Sequence, residues 1–203
     1  ESPAPVDVIG GETMSNQGDT DMSNLLRNVV PSYNVNDQPI SDAATLVRPA
    51  NLRGLAPDHT LMLVNGKRRH RASVITWLGN GISNGSQGPD AAAIPALALK
   101  RIEVLRDGAS AQYGSDAIAG VMNFVLNDAR EGGSVEVRYG EYEEGDGEQV
   151  TIAGNIGLPL GDSGFLNLTA EWGESDPTSR SEQRADAQGL IDDGYQGVPV
   201  PAM

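Results

Sequence analysis

The chain contains no cysteine, so disulfide staples and thiolate metal sites are excluded. Aromatic residues make up only 4% of the 203 positions, and a core here must be built from Leu, Val, Ile and Ala. No apolar run approaches the ~20 residues of a membrane-spanning helix. No basic segment followed by an apolar one opens the chain at Glu1, so a mature or trimmed chain is expected. Catalytic signatures are missing as well: there is no GxSxG elbow and no HExxH pair. The glycines at 108, 114 and 120 do not make a phosphate cradle, because Ser115-Asp116 follows Gly114 where a Walker loop needs Gly-Lys-Ser/Thr. His59 and His70 lack a carboxylate at metal-ligand spacing. The chain reads as a non-enzyme that needs no cofactor.

Basic charge is scarce too. Fourteen Lys/Arg stand against 28 Asp/Glu, and a net charge of −14 argues against non-specific nucleic-acid binding. The imbalance is local: residues 1–129 hold 10 Lys/Arg against 13 Asp/Glu, whereas residues 130–203 hold 4 against 15. A composition break therefore falls near Arg130, and the length allows one domain and part of another.

What is present organises around residues 99–126. Arg101–Arg106 reads as a strand through Ile102, Val104 and Leu105, and Asp107-Gly108 as a turn. Gly114, Ser115-Asp116 and Gly120 punctuate two short helical or turn segments. Val121–Leu126 is apolar on both faces apart from Asn123, which marks a buried strand. Upstream, Val6, Val8 and Ile9 form a short strand after an extended leader. Asp19 or Asp21 caps a helix to about Val29, ended by Pro31. Tyr33–Val35 is a short strand, 36–44 a loop, and 46–55 extended. Leu61–Val64 is a continuous apolar strand closed by the turn signal Asn65-Gly66. Residues 67–90 form the longest irregular stretch.

These blocks carry a resemblance. "LLRNVVPSYNV" (25–35), "NLRGL" (51–55), "LMLVNGKRR" (61–69) and "RIEVLRDGASAQYGSDAIAGVMNFVL" (101–126) occur in the order of the plug-domain blocks of TonB-dependent outer-membrane receptors. The resemblance covers about residues 5–129. It implies an α+β plug domain, a small mixed sheet with short helices, at 20–129, after a leader and first strand at 1–19. It also implies TonB as a partner, through a box upstream of or missing from this chain, since none precedes Val6.

After Arg130 the pattern changes to period two. Val135, Val137 and Tyr139, then Val150, Ile152 and Ile156, then Leu166, Leu168 and Trp172 alternate with polar or small residues. On pattern alone this suits either a soluble sheet with one wet face or a transmembrane barrel. Behind a plug, 130–203 becomes about three antiparallel strands of an incomplete transmembrane β-barrel and the start of a long extracellular loop. A barrel that holds a plug needs ~22 strands. The remaining partners are thus expected to be the rest of the barrel or a second copy of the chain, and the place the bacterial outer membrane.

The resemblance implies a gate for energy-dependent uptake of a scarce nutrient, such as siderophore-iron or a saccharide. The alternative of another class is a soluble binding or signalling module on a plug-like fold. The ligand is unnamed by the sequence. The apical candidates are Asn36 and Asp37, with Arg68, Arg69, His70, Arg71, Trp77, Asn80, Asn84 and Gln87 from the 67–90 stretch. Guanidinium forks suit carboxylate or phosphate, and an indole with amides suits a sugar. Arg53, Glu103 and Arg106 match charged family positions that face barrel-wall carboxylates and latch the plug. An internal Arg53–Glu103 pair is the other reading. Glu141, Glu143, Glu144, Asp146 and Glu148 crowd one turn; they read as a solvated loop or as calcium ligands without the spacing of an EF-hand.

Overall fold

Leu61–Val64 and Val121–Leu126 are apolar at nearly every position because both faces of their strands are covered. The computed structural model describes residues 6–19, 21–35, 47–76, 81–178 and 185–194. The chain divides into two compact units, Glu1–Val137 with Ile152–Trp172, and Arg138–Thr151 with Gly173–Met203. In the first, a five-stranded sheet has the order β1-β6-β7-β4-β5. Its strands are β1 (Val6–Gly10), β4 (Thr60–Val64), β5 (Lys67–Arg68), β6 (Leu99–Leu105) and β7 (Gly120–Leu126). The pair β2 (Tyr33–Asn34) and β3 (Asn51–Leu52) stands apart. β4 runs parallel to β7 from Thr60↔Gly120 to Val64↔Phe124, and the other pairings in the sheet are antiparallel. All three strands expected at the centre are there.

On one face Met62, Ile102, Val104, Met122 and Phe124 pack against Met14, Met22, Leu25 and Leu26. On the other, Leu61, Leu63 and Val121 meet Ala109 and Ala117. Each large side chain fully buried this way contributes roughly 1.5–3 kcal/mol. Met22, Leu25 and Leu26 lie on α2 (Met22–Val29), which Asp21 caps by accepting from Ser23 N at 2.8 Å. Asp19 accepts from Asp21 N, also at 2.8 Å, and so holds the cap in place. Met14 lies on α1 (Gly11–Ser15), a helix the sequence reading did not predict. Its five residues have no side-chain cap, so local chemistry does not announce it; burial of Met14 holds it.

Two backbone positions close the sheet. Asn65 and Gly66 both have positive φ, 49° and 74°, the geometry of a two-residue hairpin between β4 and β5. Asn65 Oδ1 accepts from Leu126 N, and Asn123 Oδ1 from Gly66 N, each at 2.9 Å. At Gly120 (φ 150°) a Cβ would lie 2.4 Å from Leu105 O and 2.7 Å from Leu52 Cδ2. Only glycine lets β7 start there. The connection from β6 to β7 holds α3 (Ser110–Tyr113) and a 3-10 turn at Ser115–Ala117, the two short segments read from its glycines.

β8 (Gly133–Gly140), β9 (Gln149–Leu160) and β10 (Gly164–Ser175) form a three-stranded antiparallel sheet in the order β10-β9-β8. Its burial is the reverse of a water-soluble sheet. Val135 (78%), Val137 (66%), Leu168 (50%) and Trp172 (54%) are exposed, while Ala153 and Asn155 are buried. Large apolar side chains point outward and small or polar ones inward, as in the wall of a transmembrane barrel. This removes the soluble reading of the alternation. In the second unit Tyr139 OH donates to Glu141 Oε2 at 2.8 Å, and α4 spans Ala185–Asp192. Among the described residues no carboxylates converge on a metal-holding group.

Gly120→Ala is expected to destabilise the chain by about 1–3 kcal/mol, the usual cost of a side chain at a glycine-only backbone position; denaturant unfolding measures it. The 203-residue chain in buffer without detergent is expected to self-associate through its wet apolar strands. Hydrodynamic mass tests this, and a monodisperse monomer with slow amide exchange across 134–172 would overturn the barrel assignment.

Candidate functional site

At the N-terminal ends of β4 and β7 lies a cavity of about 270 Å³. Thr60, Leu61 and Met62 of β4 form its floor, and Arg68, Arg69, His70 and Arg71 one side. Asp58, Gly88, Pro89 and Asp116 complete it. β5 brings the basic run there: after the Asn65-Gly66 turn the chain doubles back along β4, and Arg69 N donates to Met62 O at 3.0 Å. The return limb comes equally close. A Cβ on Gly88 would sit 2.6 Å from Pro57 Cβ, so glycine is required where that limb crosses the 3-10 turn Pro57–His59.

The charges are arranged unevenly. Arg68 donates to Asp116 Oδ2 and to Tyr113 O, which ties β5 to the β6–β7 connection. Burial works to raise the Asp116 carboxyl, but the charge and hydrogen bond of Arg68 outweigh it and hold the group below the ordinary aspartate value. Asp58 Oδ1 accepts from Gln87 N at 2.9 Å, and Gln87 Nε2 donates to Ala72 O at 2.9 Å. Arg69 Nε donates to Asp90 O at 2.9 Å, and His70 Nδ1 lies 2.9 Å from Arg71 O. Arg68 and Asp116 neutralise one another. Arg69 and Arg71 then outnumber Asp58, and the cavity favours an anion.

Of the residues expected at the apex, Arg68, Arg69, His70 and Arg71 come together here. Gln87 acts behind the wall through Asp58, and Asn84 is exposed away from the cavity. Asn36, Asp37, Trp77 and Asn80 lie outside the described residues. Sequence reading missed Asp58, Asp116, Gly88 and Pro89. Asp116 had been visible only as turn punctuation, and nothing local connects it to Arg68, 48 positions away.

The three latch candidates all have contacts inside the first unit. Arg53, with φ 56°, reaches Ala119 O at 3.4 Å. Arg106 pairs with Asp7 at 2.6 Å, joining the end of β6 to β1. Glu103 accepts from Arg101 Nε at 2.7 Å and from Asn123 Nδ2 at 2.9 Å. The internal Arg53–Glu103 pair is therefore not formed; Arg101, two residues away on the same strand, reaches the carboxylate first.

At the opposite end of β7 the chain leaves the five-stranded sheet along the wall strands. Asn127 Nδ2 donates to Asn155 Oδ1 at 3.2 Å. Asn155 Nδ2 lies 2.6 Å from Asn167 Oδ1 and 2.7 Å from Thr169 Oγ1. Arg130 Nη2 donates to Ser163 O at 3.0 Å, beside the three-residue β9–β10 turn.

The family profile described as "TonB-dependent Receptor Plug Domain" matches residues 1–121. The siderophore receptor PirA of Acinetobacter baumannii is 32% identical over 147 residues, covering 69% of this chain and 19% of that protein. The ferrienterobactin receptor of Escherichia coli is 29% identical over 127 residues, covering 62% and 16%. The chain thus spans less than a fifth of the length of these curated relatives. Among solved structures, PirA of Acinetobacter baumannii aligns with a TM-score of 0.63 at 26% identity, covering 84% of this chain and 25% of that one. A variant of the ferric enterobactin receptor PfeA of Pseudomonas aeruginosa, in complex with enterobactin, aligns at 0.66 and 24% identity, covering 86% and 25%, a likeness of fold.

Glu103 supplies a pH test. The Asn123 hydrogen bond, then those of Arg101, hold its carboxyl below the ordinary glutamate value. A depressed folded value means that its stabilisation is present above the ordinary glutamate range and lost as pH falls through the folded value. Wild type is expected to exceed Glu103→Gln in unfolding midpoint at neutral pH, and the gap to close in acid. A gap independent of pH would refute this.

Proposed function

Because the chain belongs to the TonB-dependent receptor plug domain family, we propose that it forms the plug and first wall strands of an outer-membrane transporter that imports a ferric siderophore with energy delivered through TonB. The observation that carries the reading is the cavity with its surplus of guanidinium, set at the end of the sheet away from the wall junction. Strand polarity supports an outward-facing cavity. Transmembrane barrels keep tight turns on the periplasmic side and longer loops outside. The three-residue 161–163 turn lies beside Arg130, where the chain passes from β7 to β8, and the β8–β9 connection spans eight residues, 141–148. β4 and β7 run toward that tight turn, and the cavity lies at their other ends.

The ligand class follows from charge and kinship. A ferric catecholate is an anion, and Arg69 and Arg71 present donors to one. Relatives named as siderophore or enterobactin receptors support the same class.

Uptake of radio-iron-labelled ferric enterobactin through the full-length receptor, in cells lacking other receptors for it, tests the reading. Uptake is expected to depend on TonB. Arg69→Ala with Arg71→Ala is expected to lower it severalfold at unchanged receptor abundance. TonB-independent uptake, or wild-type uptake by the double variant, would overturn it.

A further inference from the structure

The 67–90 stretch looks irregular in sequence, yet its two limbs are held side by side by three rungs. Arg69 meets Asp90, Ala72 meets Gln87, and Thr76 meets Ser86. The first two rungs each use a long side chain reaching a carbonyl in a partly buried setting. The third is different. Thr76 N donates to Ser86 O at 2.9 Å and Gly85 N to Thr76 O at 2.6 Å, so the backbones themselves close the loop. A knot of hydroxyls fills the closure. Thr76 Oγ1 donates to Ser83 O, and lies 3.2 Å from Ser86 O and 3.1 Å from Ser86 Oγ. Ser86 Oγ donates to Ser83 O at 2.6 Å. Thr76, Ser83 and Ser86 are only 2–3% exposed.

We infer that Thr76 is a positioning residue: its buried hydroxyl holds the limbs in register and so sets the shape of the cavity, without touching what the cavity binds. Thr76, Ser83 and Ser86 are absent from the cavity lining, whereas each limb supplies part of it, Arg69–Arg71 on one side and Gly88-Pro89 on the other. Among the described residues from 71 to 90 there is no strand pairing to keep the limbs together. A buried hydroxyl is disfavoured unless its hydrogen bonds are made, and here carbonyls converge on it. If this rung opens, the limbs are left with the two partly buried side-chain rungs, Arg69 to Asp90 and Gln87 to Ala72, and the spacing of Arg71 and Pro89 loosens. The role in ligand affinity rests on the uptake reading above; the role in holding the limbs does not.

Thr76→Val keeps the shape and removes the donor, and Thr76→Ser keeps the donor. Both are made in the full-length receptor. Amide exchange is read at 76 and 85, in the knot, and at 69 in the cavity wall and 87 just behind it. Binding is read with ferric enterobactin as the probe. Thr76→Val is expected to speed exchange at all four amides and to raise Kd by about five- to tenfold, the span of one lost buried hydrogen bond. Thr76→Ser is expected to behave as wild type in both. Wild-type exchange in Thr76→Val, faster exchange with an unchanged Kd, or a Thr76→Ser as weak as Thr76→Val would each overturn the inference. A wild-type receptor that binds no ferric enterobactin would refute the substrate class instead. Exchange at 69 and 87 then decides the knot: acceleration in Thr76→Val upholds it, and wild-type rates overturn it.

Discussion

The parallel pairing of β4 with β7 is the constraint on which everything else rests. It joins Thr60 to Gly120 and Val64 to Phe124 across sixty positions of chain. Parallel neighbours need cover on both faces, and that requirement recruits α1 and α2 to one side and the 107–117 connection to the other. The same pairing separates the two working ends. One holds the arginine-lined cavity, and the other feeds the chain into β8.

The two ends differ in how their polar groups are held. Around the cavity, Arg68 is half exposed and Arg69 and Gln87 are partly so, and their partners are spread over the Pro57–His59 turn, the β6–β7 connection and the return limb. At the wall junction, Asn155 is 7% exposed and bound to three side chains from two segments, Asn127 after β7 and Asn167 and Thr169 on β10. Contacts of the first kind exchange with water at little cost. Contacts of the second kind leave an unpaired buried amide when broken. The difference suits the roles proposed above, with one end receiving a ligand and the other staying attached.

Much of this was legible in the residues. Val121–Leu126 reads as a strand covered on both sides, and Asn65-Gly66 as a hairpin, because those patterns have few other physical solutions. The basic run 68–71 reads as one cluster, and its side chains line one cavity. What escaped reading depends on distance or on depth. α1 is five uncapped residues held by one buried methionine. Asp58 and Asp116 reach the cavity through tertiary packing with no local sign. Arg106 looks outward by analogy but has Asp7 beside it on the neighbouring strand. The 67–90 stretch lacks periodicity because its rungs come from side chains and hydroxyls, which a pattern of apolar residues does not record.

Asn155 also answers a question that alternation leaves open. A one-residue slip of β9 would turn its apolar face inward, and lipid forbids it. A two-residue slip keeps every large side chain facing outward, so the hydrophobic pattern is blind to it. That slip would put Ala153 or Gly157 where Asn155 now sits, and Asn127, Asn167 and Thr169 would lose their common partner. The wall's lipid face thus defines strand position only modulo two. One inward asparagine supplies the remaining bit of information, which makes it the index mark against which the sheet is aligned.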